Sequence, residues 1–235
     1  MTRTTSLILL PGLGASARQW EPQRAEFPEL AVPLWIAPQR RESLAGYAAR
    51  MATAIEPVGP LVLGGSSFGG MVAYEMARHL DTAAVVLIGS CRSRRSIRPT
   101  LRFLRRLGAM VPVPVFGLAK FVAPWVVGPF TGLPPNVWRL LVEMFRDADS
   151  RLMSWACSAI PAWDPAPLGA VPVYQIHGAK DRVIPAARVD ADEIVPEAGH
   201  LLNLTHPEQV NAMIRATMAE VLNGRSCQRG SIGAE

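Results

Sequence analysis

Gly65 and Gly69 stand two residues to either side of Ser67, between the apolar run Leu61-Val62-Leu63 and the helical pattern Met71-Val72-Ala73-Tyr74-Glu75-Met76. A serine carried on a sharp strand-to-helix turn projects its hydroxyl at the expense of a strained backbone. Neighbouring segments then pack so closely two residues away on each side that only glycine fits. That requirement selects Ser67 over Ser66, whose corresponding neighbours are Gly64 and Phe68. Such a serine can attack an acyl carbon as a nucleophile. The helix that follows points its first N–H groups and the positive end of its dipole at the developing oxyanion, and the Phe68 N–H is the natural first donor. A plain tight turn is the bland alternative. A phosphate-binding loop would carry Gly-Lys-Ser/Thr, and no lysine lies nearby.

A nucleophilic serine needs a base, and the base needs an orienting acid. The apolar run at 171–176 leads into His177-Gly178-Ala179-Lys180-Asp181, which places Asp181 in a loop at the C-terminal end of a strand, where sites in open α/β sheets lie. The next strand, ending near Val195, is followed by Pro196-Glu197-Ala198-Gly199-His200, a loop at the same edge. Chain order is thus Ser67, Asp181, His200. Asp181 could instead cap a turn, and Asp190 or Asp192 could compete for its role. Among the four histidines, His79 ends a helix, His177 closes a strand as a structural residue, and His206 precedes Pro207 at a helix start. His200 is the candidate base.

These residues need a scaffold of buried strands. Apolar runs at 7–10, 32–36, 61–63, 84–88, 171–176 and 193–195 are mostly continuous rather than alternating, as expected of parallel strands covered on both faces. Helical patterns at 43–55, 69–80 and 207–222 lie between them, so the order predicts a mostly parallel sheet with helices on both sides. One stretch breaks the rhythm. Residues 91–165 contain no convincing strand but hold nine of the 21 prolines and four of the six tryptophans. A 75-residue interruption is too long for an ordinary loop and reads as a helical insertion over the sheet.

Composition narrows the field. With 235 residues, 49% hydrophobic and 18% charged, the chain is long enough for a core and too apolar for disorder. Cys91, Cys157 and Cys227 are too scattered for a disulfide framework or a metal site, which points to a reducing, cytoplasmic setting with no cofactor or metal. The Leu7-Ile8-Leu9-Leu10 run is too short for a signal peptide. The stretch at 107–138 is interrupted by Lys120 and six prolines and predicts no membrane span. Net charge is +5, yet residues 91–165 alone carry 11 basic and 4 acidic residues, leaving the remainder at −2. The positive balance therefore belongs to the insertion and gives no case for nucleic-acid binding.

The pieces Leu-Ile-Leu-Leu-Pro-Gly-Leu-Gly (7–14), Gly-Gly-Ser-Ser-Phe-Gly-Gly (64–70), His-Gly-Ala-Lys-Asp-Arg-Val-Ile-Pro (177–185) and Gly-His (199–200) resemble the α/β-hydrolase superfamily, over roughly residues 5–222. The resemblance implies an α/β-hydrolase fold with a sheet of about six strands, helices on both faces and a helical lid. It divides the chain into a core at 1–90 and 166–222, a lid at 91–165 and a disordered tail at 223–235. It implies Ser67 as nucleophile, His200 as base, Asp181 as orienting acid and, beside Phe68, a second oxyanion amide from Leu13. Relatives usually carry His-Gly in the Leu13 loop. Here Pro11 stands in the histidine's place, which leaves the anchoring of the loop open.

The expected activity is hydrolysis of carboxylic esters or thioesters through an acyl-enzyme. The elbow segment is also similar to thioesterases that edit acyl carriers. The same three residues could serve C–C bond hydrolysis, elimination or perhydrolysis, and some members of the fold only bind. Leu, Val, Phe, Trp and Pro in the insertion suit an apolar acyl pocket, or simply pack the lid onto the sheet. The arginines at its start (Arg92, Arg94, Arg95, Arg98, Arg102, Arg105, Arg106) read as a solvated helix face, or as a docking patch for an anionic substrate or membrane surface.

Overall fold

The computed structural model describes residues 5–97, 117 and 133–224. Strands β1 (Ser6–Leu10), β2 (Leu61–Ser66), β3 (Thr82–Ile88), β4 (Val173–Gly178) and β5 (Glu193–Val195) form one sheet in that spatial order, with every neighbouring pair parallel. The described helices are α1 (Glu21–Arg24), α2 (Leu44–Ala52), α3 (Phe68–Met76), α4 (Pro135–Asp147), α5 (Ser150–Ala162), α6 (Leu202–Thr205) and α7 (Pro207–Leu222).

Both faces of the sheet are buried, which explains why the strands read as unbroken apolar runs. β1 turns Ile8 and Leu10 toward α2, α3 and α5, where they meet Tyr47, Phe68, Val72, Leu152 and Ala156. It turns Leu7 and Leu9 to the other face, where Trp20, Val210, Ile214 and Val221 cover them. Helix starts follow local chemistry. The Ser43 hydroxyl accepts from the Gly46 N–H at 3.1 Å ahead of α2, and Asp149 Oδ1 accepts from the Arg151 N–H at 2.7 Å ahead of α5. Proline opens α4 and α7, where its missing N–H costs nothing.

The sheet has five described strands rather than about six. The apolar run at 32–36 pairs only through its neighbour Ala31, which bridges Ile8 and exchanges backbone bonds with Leu7 and Leu9. Pro33 has no N–H to extend that ladder, and Leu34 is 86% exposed rather than buried in a sheet. Within 91–165 the described residues form a 3-10 turn, Arg94–Ser96, and helices α4 and α5, with no strand among them. Arg98, Arg102, Arg105 and Arg106, most of the apolar stretch at 107–138, and the tail from 225 onward lie outside the described residues. No helix among the described residues is long and apolar enough to cross a membrane.

Candidate active site

Ser67 sits between the end of β2 and the start of α3, with φ 52° and ψ −119°. A non-glycine residue rarely adopts this conformation, at a cost of about 1–3 kcal/mol. Its backbone is held from three directions. The Ser67 N–H donates to Ile88 O at 3.0 Å, and its carbonyl accepts from the Gly70 N–H at 3.1 Å and the Ser90 hydroxyl at 2.6 Å. A Cβ on Gly65 would lie 2.6 Å from the Gly69 carbonyl carbon and 2.7 Å from Leu10 O. One on Gly69 would fall on the carbonyl oxygens of Leu10 and Pro11. The elbow is therefore closed by backbone against backbone.

His200 and Asp181 arrive on the loops that follow β5 and β4. Ser67 Oγ lies 2.9 Å from His200 Nε2, and His200 Nδ1 lies 2.7 Å from Asp181 Oδ2. An ionised carboxylate can only accept, so Nδ1 carries the imidazole proton and Nε2 is left to accept from the serine hydroxyl. The Asp181 side chain is wholly buried, whereas that of His200 retains 18% exposure on the solvent side. Burial works against the charge on Asp181. Hydrogen bonds from His177 and His200, together with the Ile184 amide, outweigh it and hold the carboxyl well below the usual carboxylate range. The Val183 and Ile184 N–H groups donate to its Oδ1 at 2.7 and 2.9 Å.

His177 is part of this constellation, beyond the strand-closing role expected of it. Its buried Nε2 lies 3.1 Å from Asp181 Oδ2 and 2.8 Å from Ile184 O, two acceptors that share its proton. The four-residue spacing His177-Gly178-Ala179-Lys180-Asp181 was the only sequence signal for this contact. The competing aspartates are engaged elsewhere: Asp190 pairs with Arg92 at 2.9 Å, and Asp192 accepts from the Gln175 N–H at 2.8 Å. His79 is exposed beyond α3, and His206 stands at the N-terminus of α7.

Phe68 is the first residue of α3, directly after Ser67, so its N–H has no partner within the helix. The Leu13 loop passes alongside, since a Cβ on Gly12 would lie 3.8 Å from Ser67 Cβ. The Gly12 N–H donates to Gln19 Oε1 at 2.7 Å. The loop is thus anchored by a residue to which no motif pointed.

Both described insertion helices touch this region. In α5, Trp155 stacks on Tyr47 at 4.5 Å, meets the Phe68 ring edge-on at 6.1 Å and donates from Nε1 to Glu42 O at 2.9 Å. In α4, Phe145 packs against Gly14, and Glu143 accepts from Arg18 at 2.8 Å. The insertion thus bears on both segments that would supply oxyanion amides. A separate depression of about 890 Å³, lined among others by Tyr74, Arg92, Arg95, Gln175 and Arg188, includes none of Ser67, Asp181 and His200. Arg92 in its lining is paired with Asp190, and the neighbouring Arg94 is paired with Asp164.

A family model described as the alpha/beta hydrolase family matches residues 7–213, and the chain belongs to that family. No curated protein matches the sequence. The fold is shared with a thermophilic esterase from Thermogutta terrifontis, at 21% identity over 94% of this chain and 92% of that one, with TM-score 0.67. An enol-lactonase from Burkholderia xenovorans aligns at 20% identity over 92% of both chains, with TM-score 0.71. The type II thioesterase BorB from the borrelidin biosynthetic cluster aligns at 17% identity over 92% of this chain and 94% of that one, with TM-score 0.59.

Proposed function

We propose that this chain is a serine hydrolase of carboxylic esters or thioesters, with Ser67 as nucleophile, His200 as base and Asp181 as orienting acid. The observation that carries the reading is the continuous line of hydrogen bonds from Ser67 Oγ through His200 to the buried, ionised Asp181. In this mechanism Oγ attacks the acyl carbon as its proton passes to His200 Nε2. The carbonyl oxygen becomes an oxyanion facing the Phe68 and Leu13 N–H groups, and Asp181 stabilises the imidazolium. Collapse of the tetrahedral intermediate breaks the bond to the leaving oxygen or sulfur, which takes the proton from His200. A water then repeats the sequence on the acyl-enzyme, releasing the acid and restoring Ser67.

Residues 91–165 act as a lid in this reading, with Trp155 of α5 and Phe145 of α4 as its contacts beside the site. The setting is reducing and cytoplasmic, in keeping with the free thiols of Cys91 and Cys157. Burial pushes the Cys91 thiol up to about 12, out of reach of thiolate chemistry. The test uses p-nitrophenyl butyrate turnover and labelling by a fluorophosphonate. Wild type is expected to do both, and Ser67→Ala to lose the label and at least about 10⁴-fold in kcat. Equal rates in the two proteins would refute the assignment.

A further inference from the structure

The face of the sheet that carries α7 contains a cluster of side chains that energetics alone does not favour. Gln19, Gln23, Asn203 and Asn211 are 1%, 0%, 0% and 7% exposed. A buried carboxamide stabilises little even when hydrogen-bonded, and destabilises the fold outright when left unpaired. Apolar side chains would fill the same volume with less risk. What amides supply and apolar groups do not is direction.

The direction is specific. Gln19, in the 3-10 turn Ala17–Trp20, accepts from the Gly12 N–H through Oε1 at 2.7 Å. Its Nε2 donates to Asn203 Oδ1 at 3.2 Å, and Asn203 Nδ2 donates back to the Gln19 carbonyl at 2.9 Å. Asn203 belongs to α6 and lies three residues beyond His200. One side chain therefore ties the loop that borders Ser67 to the segment that carries the histidine. Gln23 supports the far side by donating to Asn203 O and Asn211 Oδ1, both at 3.1 Å, whereas the Gly12 N–H is held by Gln19.

We propose that Gln19 is the positioning residue of the oxyanion loop, holding the Gly12 peptide so that the next amide, that of Leu13, stays aimed at the acyl oxygen and in register with His200. The proposal rests on the serine-hydrolase reading above, because only a developing oxyanion requires that aim. It acts through the loop and touches no substrate. Its loss should therefore weaken transition-state stabilisation rather than ground-state binding, and displacing one oxyanion donor costs on the order of 10²-fold in kcat.

The experiment compares Gln19→Met with Gln23→Met, two changes that remove a buried amide of the same cluster with little change in volume. Gln19→Met is expected to lower kcat for p-nitrophenyl butyrate about 10²-fold with KM within about twofold, and to weaken inhibition by phenylboronic acid by a similar factor. Gln23→Met is expected to lower the melting temperature with kcat within about threefold of wild type. Equal losses of kcat in both variants, or a change confined to KM, would overturn the proposal. A second measurement needs neither activity nor a variant that folds. In ¹⁵N-glycine-labelled wild type, the Gly12 amide should exchange with solvent far more slowly than an open loop, and a rate typical of an open loop also overturns the proposal. If wild type hydrolyses no ester while Gly12 is protected and loses protection in Gln19→Met, the hydrolase reading falls and the anchor stands.

Discussion

Ser67 and His200 each stand close to a glycine, and the two glycines are there for different reasons. Gly69 is enclosed, since any side chain at that position would collide with the backbone of Leu10 and Pro11. Gly199, immediately before His200, has nothing within 4 Å of the place a Cβ would occupy. The serine is fixed by crowding of main chain against main chain. The histidine is fixed by side-chain hydrogen bonds, to Asp181 on one nitrogen and to Ser67 on the other. Crowding leaves no freedom and tolerates no substitution, whereas a hydrogen-bonded loop keeps room for small movements of the side chain it carries.

Three substitutions can break or sharpen this contrast. The largest effect is expected from Asp181→Asn, which leaves the loop in place but removes the acceptor that sets the His200 tautomer. A loss of about 10⁴-fold in kcat should appear in steady-state turnover, about 5.5 kcal/mol of barrier. The same variant reads the acid's electrostatics. The folded-state carboxyl titrates below its ordinary value, so the ionised form stabilises the fold at every pH above the unfolded value near 4 and that share is lost as pH falls further. The gap in melting temperature between wild type and Asp181→Asn should accordingly narrow from pH 5 to pH 3. A gap independent of pH across that window would contradict the electrostatic account.

Gly69→Ala comes next, with an overpacking cost of about 3 kcal/mol or more, visible as a fall of about 10 °C in thermal melts or as insoluble protein. Smallest is Gly199→Ala, expected to leave kcat within about twofold and stability within about 0.5 kcal/mol of wild type. A severe loss in Gly199→Ala would mean that the His200 loop is held by crowding after all.

The contrast also explains what could be read from the residues alone. Steric demand leaves a mark in sequence, so the elbow around Ser67 and the continuous runs of β1 to β4 were legible. Strand pairing at the margin was not: 32–36 is apolar in composition, but Pro33 cannot donate and Leu34 faces water. Asp181 and His200 were legible through their places after strands, while the contact of His177 with Asp181 depended on how one loop folds back. Gln19 and Asn203 left no trace, because a buried amide pair 184 residues apart has neither a period nor a motif. Directional contacts between distant polar residues are set by tertiary structure, and local pattern does not report them.

The short pairing of Ala31 along β1 has a further result for how the molecule behaves among copies of itself. That margin offers a second chain one bridged residue followed by Pro33, and the opposite margin, β5, is three residues long with Glu193 exposed. Among the described residues, neither margin presents the long row of open N–H and C=O groups on which sheets template one another. The sheet is thereby guarded against runaway edge-to-edge assembly at both ends, by a proline on one side and by brevity on the other.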